Sequence, residues 1–314
     1  MNYLIYIVFG NEKGRYKSEL VYSLLSLDRM TTDRSRENIA ILIYCDGEIE
    51  LPDRLNHLPV SFNYLKKEDI ISWINKGNGH SLILKAYVML DFLQKYDSGG
   101  ILVDTDTFFI RDPESLFETI KSDRLLMHLK EYPLKNRPKI HSFFQKSEFR
   151  RLNGDRYTIS PSFYMWNSGV VGIHSDYVRL LPEIIFLIEQ ISFDKEWPLE
   201  ERLLIEQTAY SYYLQVQETE LLPAEEYIVH YWFFKEFRFL LGKYFDFFLE
   251  EDQEILEQIL ADKRLEESDF SELKYDNLPT LMFRFMSAYD MLRGYHFECL
   301  PKDTLVGSAL RSIC

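Results

Sequence analysis

Along the N-terminal part of the chain, apolar residues fall alternately into unbroken runs and into stretches with helical spacing. Tyr3 to Phe9 is a continuous apolar run, broken by Gly10-Asn11-Glu12-Lys13-Gly14, and it reads as a strand buried on both faces. From Tyr16 to Leu27 the spacing of Leu20, Val21, Leu24, Leu25 and Leu27 predicts a helix. Ile39 to Tyr44 repeats the strand habit and ends at Cys45-Asp46-Gly47, and Val60 to Leu65 predicts a third strand. Leu82, Ala86, Met89 and Leu93, behind Ser81 as a cap, predict a helix that leads through Gly99-Gly100 into the short run Ile101-Leu102-Val103. Strands and helices that alternate in this way predict an α/β fold with a parallel sheet and right-handed crossovers.

The later chain is less regular. Lys130 to Arg156 has weak periodicity and reads as a loop-rich insertion, with eight Lys or Arg against three Asp or Glu, a local balance of 8 − 3 = +5. Such a run either faces something anionic or is a solvated basic face. Tyr164 to His174 predicts a strand with Asn167-Ser168-Gly169 inside it, and a glycine in a strand interior often marks a close approach of ligand or backbone. Asp176 to Ile191 and Leu199 to Leu214 predict helices, the second with Glu206-Gln207 near its centre. Leu221 to Pro223 is a candidate short strand, and the apolar segment Tyr227 to Tyr231 carries His230. Beyond it the chain is aromatic and helical, then strongly acidic. These patterns divide it into an α/β domain over residues 1–232 and a helical C-terminal extension over 233–314, whose aromatic face is read as core or as a homodimer contact.

A net charge of −14 and a pI near 5.1 argue against nucleic acid or an anionic membrane as the main partner. Cys45, Cys299 and Cys314 are odd in number and widely spaced, which favours a reducing cytoplasm over a disulfide framework or a zinc site. Met1 to Phe9 lacks a basic start and is too short for a signal sequence, and no later run is long enough to form a transmembrane segment. A cytoplasmic protein is expected, a peripheral place at the inner membrane face being compatible with it.

The chemistry concentrates where Ile101-Leu102-Val103 ends in Asp104-Thr105-Asp106. Side chains alternate along an extended chain, so both carboxylates point the same way, at the carboxyl end of a strand, where open α/β sheets bind ligands. Two close like charges repel, and burying either without a partner is costly. A divalent cation such as Mn²⁺ or Mg²⁺ removes both objections and leaves coordination positions for a diphosphate. Helix capping is a poor alternative, because Asp112-Pro113-Glu114 already supplies a helix start.

The segment Lys85-Ala86, Tyr96, Gly99-Gly100-Ile101-Leu102-Val103-Asp104-Thr105-Asp106-Thr107 and Asp112-Pro113 resembles the DXD region of GT-A-fold glycosyltransferases, both the family 8 type and the sugar-binding DXD type. Asn167-Ser168-Gly169-Val170-Val171 is similar to the family 8 Asn-Ser-Gly strand, and Glu206-Gln207 stands where that family often has Asp-Gln. After His230 the family has Gly and Lys-Pro-Trp, whereas this chain has Tyr-Trp-Phe-Phe-Lys, with Lys235 as the approximate counterpart of the phosphate-binding lysine. The resemblance covers roughly residues 1–232. It implies a GT-A, Rossmann-like, mostly parallel sheet and transfer of a sugar from a nucleoside diphosphate sugar, UDP being the favoured nucleotide, to a glycan, lipid-linked or protein acceptor.

It also implies roles for residues. Asp104, Asp106 and His230 would hold the metal, with Asp104 also touching ribose. Asp46 would face the nucleoside and Lys85 donor hydroxyls or carboxylates. Asn167, Ser168, Gly169 and Gln207 would meet the sugar, and Glu206 would be the carboxylate near the anomeric carbon, as base or nucleophile. Three other classes compete: a non-catalytic nucleotide-sugar binding protein, a glycoside hydrolase that would use a carboxylate pair without a metal, and an Asp-x-Asp phosphatase. The phosphatase motif wants Thr or Val where this chain has Phe108.

Overall fold

The computed structural model describes residues 1–10, 13–96, 98–121 and 124–232. In chain order these form β1 (Asn2–Val8), α1 (Lys13–Met30), α2 (Asp33–Glu37), β2 (Ile39–Cys45), β3 (Val60–Tyr64), α3 (Lys67–Lys76), α4 (Ile83–Lys95), β4 (Gly100–Val103), β5 (Thr107–Phe109) and α5 (Glu114–Lys121). There follow β6 (Leu125–Pro133), α6 (Pro138–Lys146), β7 (Phe149–Arg150), β8 (Arg156–Tyr157), β9 (Tyr164–Ile173), α7 (Leu180–Phe193), α8 (Ile205–Gln215), β10 (Leu221–Pro223) and β11 (Ile228–His230). The helical extension over 233–314, Lys235 within it, and the dimer contact expected there lie outside the described residues.

The expected α/β architecture, a mostly parallel sheet flanked by helices, is the observed one. Seven strands make one sheet in the order β10-β6-β9-β4-β1-β2-β3. β1, β2, β3 and β4 run parallel, as do β6 and β10, while β9 is antiparallel to both its neighbours. The pattern does not say which strand runs against the others. β9 is buried almost throughout, like the parallel strands, and an unbroken apolar run carries no information about direction.

Alternation along each strand feeds two apolar layers. Leu4, Tyr6 and Val8 of β1, with Ile41, Ile43 and Cys45 of β2, face the layer that holds α1 and α5. Ile5, Leu42, Tyr44 and Leu102 face the other, built with α4, α6, α7 and α8. The Gly-Gly break before β4 has a packing reason: a Cβ on Gly100 would stand 2.4 Å from the Phe92 ring. Helix α5 starts as expected, with Asp112 Oδ1 accepting from the Glu114 backbone N–H at 3.0 Å. Ser81 does not cap α4, whose first flanking residue is Leu82 with no side-chain cap bond.

The basic stretch 130–156 is not loop-rich. It holds the end of β6, all of α6, β7 and the first residue of β8. Ile140, Phe143 and Phe144 of α6 are buried with Phe149, Phe163 and Trp197, and the Phe143 and Trp197 rings meet edge-on at 5.1 Å. Three apolar anchors among charges are too few to announce a nine-residue helix from periodicity. Three of the cations pair with carboxylates: Arg137 with Glu201 at 3.2 Å, Arg156 with Glu148 at 3.0 Å, and Lys139 with Glu200. The last two helices also start later than their pattern suggested. A 3₁₀ turn over Leu199–Leu204 precedes α8, so Glu206 and Gln207 lie in its first turn rather than near its centre.

Candidate metal centre

The chain turns sharply after β4. The backbone N–H of Asp104 donates to the Gly169 carbonyl at 2.8 Å, and the Thr107 hydroxyl donates to the Asp104 carbonyl at 2.7 Å. Thr107 opens β5, which pairs antiparallel with β11 so that Thr107 stands opposite His230. The Tyr231 N–H donates to the Asp106 carbonyl at 3.0 Å. This two-stranded ribbon brings a histidine from the end of the described chain onto the two aspartates.

The resulting group is compact. His230 Nε2 lies 3.2 Å from Asp106 Oδ1 and 3.7 Å from Asp104 Oδ2. One donor atom from each of Asp104, Asp106 and His230 falls within 4.8 Å of the others. Two carboxylate oxygens and an imidazole nitrogen, mostly buried, are the donors that Mn²⁺ and related divalent ions accept, so the residues fit such an ion. The site depends on a missing side chain: a Cβ on Gly169 would sit 2.1 Å from His230 Nδ1. The sequence had marked this glycine as a point of close approach; the group that approaches is the His230 ring.

Charge around the group is unevenly balanced. Lys85 Nζ donates to Asp104 Oδ2 at 2.7 Å and to the Ser168 carbonyl at 3.2 Å. Burial works to lower the lysine's pKa, but Asp104, Glu206 and Asp106 outweigh it and push it up to about 12, so the ammonium stays charged. Desolvation raises the Asp104 carboxyl above its ordinary value, against the pull of Lys85 and His230 and with the help of Asp106. Glu206 is 1% exposed; burial pushes its carboxyl up to about 7, while Lys85 opposes the rise. One of its oxygens accepts from the Ser168 hydroxyl at 2.9 Å, and the other, Oε1, is buried without a hydrogen-bond partner among the described residues. A divalent cation is the kind of charge that would relieve so many carboxylates.

The other residues singled out from sequence fall as follows. Asp46 stands past β2 at the same carboxyl edge of the sheet, accepting from the Gly10 N–H at 3.2 Å. Asn167, Ser168 and Gly169 lie together on β9 beside the group. Asn167 Oδ1 contacts His230 Nδ1 at 2.7 Å and accepts from the Gly169 N–H at 2.9 Å. Gln207 reaches in from α8.

Sequence reasoning passed over three residues. Glu131 accepts from Asn167 Nδ2 at 3.2 Å and from Gln207 Nε2 at 2.9 Å, though in sequence it was one of three acids in a basic stretch. Glu19 of α1 is fully buried and accepts from the Thr105 hydroxyl, at 3.0 Å, between the two aspartates. His128, also fully buried, packs edge-on to His230 at 5.6 Å and lies 2.9 Å from the Ile228 carbonyl. For Glu19 the one available signal was an acid next to the apolar positions Leu20 and Val21 of α1.

No protein-family model matches the chain, and no curated protein matches it in sequence. Among solved structures it is similar to the apo form of mouse xyloside xylosyltransferase 1, with 11% identity, a TM-score of 0.45, and 71% of this chain and 84% of that one covered. It is also similar to the apo structure of the bifunctional glycosyltransferase WbbM, with 12% identity and a TM-score of 0.37, spanning 66% of this chain and 37% of that one. Likenesses this distant carry no argument about activity.

Proposed function

We propose that the chain is a metal-dependent glycosyltransferase of the GT-A type, moving a sugar from a nucleoside diphosphate sugar, with UDP as the nucleotide, to a glycan, lipid-linked or protein acceptor. The observation that carries this reading is the convergence of Asp104, Asp106 and His230 at the carboxyl edge of a mostly parallel sheet. The supporting observation is that the Gly-Gly-strand-Asp-x-Asp and Asn-Ser-Gly segments, far apart in sequence, are in contact there through the Asp104 to Gly169 backbone bond.

Asp104, Asp106 and His230 would hold Mn²⁺ or Mg²⁺, which when bound neutralises charge developing on a departing nucleoside diphosphate. Lys85 holds the Asp104 carboxylate in place and adds a permanent positive charge beside the site, favourable to an anionic donor. Asp46, at the same edge, is assigned to the nucleoside, and Ser168, Asn167 and Gln207 to the wall against which the sugar lies. Glu206 lies beneath Ser168; it anchors that hydroxyl, and with a carboxyl near neutrality it is the candidate for proton transfer.

The test is turnover of a panel of nucleotide sugars with and without Mn²⁺. Slow metal-dependent hydrolysis of one donor is the expected result, and Asp106→Asn should lower it about a thousandfold, the several kcal/mol that a metal supplies to the transition state. Donor binding without turnover would favour the non-catalytic binder. Metal-dependent turnover unaffected by Asp106→Asn would sink the assignment.

A further inference from the structure

The geometry points to Glu131 as a positioning residue that acts through Asn167 to hold His230 in the tautomer whose unprotonated Nε2 faces Asp104 and Asp106. Its usefulness rests on the metal-site reading above; its geometry does not.

Glu131 is the extra residue of a β-bulge. On β6, Lys130 pairs with Trp166 and Tyr132 with Met165 of β9, so Glu131 has no counterpart in the ladder. A bulge takes a side chain out of the strand's regular alternation and re-aims it. Here the half-buried carboxylate lands between two amides, with Oε1 accepting from Asn167 Nδ2 at 3.2 Å and Oε2 from Gln207 Nε2 at 2.9 Å.

A carboxylate can only accept, so it draws the nitrogen end of the Asn167 amide toward itself. The Gly169 backbone N–H can only donate, and it lies 2.9 Å from the oxygen end. Both neighbours demand the same orientation. The atom 2.7 Å from His230 Nδ1 is therefore an acceptor, and Nδ1 has to carry the proton. In the neutral ring Nε2 is then left with its lone pair, directed at carboxylate oxygens 3.2 Å and 3.7 Å away. A lone pair facing two acceptors is matched by a cation between them. Partners in the outer layer of a metal site commonly fix a histidine's tautomer in this way, and losing one typically costs 10–100-fold in metal affinity.

The test uses the full chain labelled with ¹⁵N at histidine. Long-range ¹H–¹⁵N correlation in the metal-free protein at about pH 8, above the reference histidine pKa, reads the tautomers, and titration with Mn²⁺ alone reads the affinity. In the parent, His230 should be protonated at Nδ1. His128, whose Nε2 lies 2.9 Å from the Ile228 carbonyl, should be protonated at Nε2 and serves as the internal control. Glu131→Met removes the acceptor and keeps the length: His230 should become a mixture of tautomers, His128 should not change, and Mn²⁺ should bind about 10–100-fold more weakly. Glu131→Asp, which keeps the carboxylate, should recover the parental tautomer and most of the affinity.

A parent His230 protonated at Nε2 overturns the inference without any variant. So does Glu131→Met with unchanged tautomer and affinity, or a loss that Glu131→Asp does not restore, since that loss would then be one of packing. A parent that binds no Mn²⁺ fails the metal-site reading instead, and the tautomers still decide the role of Glu131.

Discussion

The two halves of the main sheet are built on different rules. From β4 to β3 the strands are parallel and in unbroken register, with seven successive residues of β1 opposite seven of β2. Their side chains alternate between two apolar layers, and chemistry enters only past their ends, at Asp46 and Asp104. Around β9 the ladder is antiparallel and breaks register twice: between Met127 and Leu129 one residue of β6, His128, faces Ser168, Gly169 and Val170, and between Lys130 and Tyr132 Glu131 is left over. A regular ladder cannot send a carboxylate, an amide and a hydroxyl to one edge without placing polar groups in an apolar layer. The irregular half does so by breaking step: Glu131, Ser168 and Gly169 lie at those breaks, next to Asn167.

Matched glycine substitutions separate the two halves most strongly. A Cβ at Gly100 would press on the Phe92 ring at 2.4 Å, and one at Gly169 on the His230 ring at 2.1 Å. Overpacking of this kind costs about 1–3 kcal/mol, so thermal melting should show both Gly100→Ala and Gly169→Ala to be destabilised. Only the second displaces a metal-ligand candidate. Its Mn²⁺ affinity should fall by more than about a hundredfold, roughly 3 kcal/mol, while Gly100→Ala retains parental affinity. Equal losses of Mn²⁺ binding in the two variants would erase the distinction between the halves.

The irregular half also differs in holding a buried carboxyl. Burial raises Glu206 from an ordinary 4.5 to about 7 in the folded protein, so the native state holds its proton more tightly than the unfolded chain does. The associated stability is complete below about pH 4.5 and is lost as pH rises through about 7, to a limit of about 3 kcal/mol. In chelator, the melting temperature of the parent should fall between about pH 5 and pH 8, and Glu206→Gln, which cannot ionise, should fall less and be the more stable form at the upper end. Parallel pH profiles for the two proteins would show that Glu206 is not held in this way.

Legibility followed the same division. The runs 3–9, 39–44 and 101–103 are readable because strands buried on both faces need continuous apolar sequence, and Asp104-Thr105-Asp106 is readable because it interrupts one. His230 was found only through the resemblance; nothing local marks it, since the ribbon of β5 and β11 that delivers it is three residues long in each strand. In the sequence Glu131 is a charge and nothing more. Its function-bearing property is being the odd residue of a bulge, which depends on a partner strand more than thirty residues away, and no period of 2 or 3.6 encodes that. The direction of β9 was hidden for the same reason: burial fixes which residues are apolar, and the partner fixes which way they run.

The smallest expected effect concerns the basic stretch, where sequence suggested charge as the organising feature and the structure shows aromatic anchors. Arg156 and Glu148 pair at 3.0 Å with side chains 63% and 53% exposed, so water screens the attraction and two long side chains lose freedom to make it. The hairpin they sit on is held instead by Phe149, buried against Phe143 and Phe144 at ring distances of 6.1 Å and 5.7 Å. Arg156→Ala should therefore change stability by no more than about 0.5 kcal/mol, and raising the salt concentration should make little difference to parent or variant. Denaturant melts of the two proteins at low and high salt measure this directly. A loss above about 1 kcal/mol that disappears in high salt would mean that charge, and not the aromatic cluster, fixes this segment to the irregular half of the sheet.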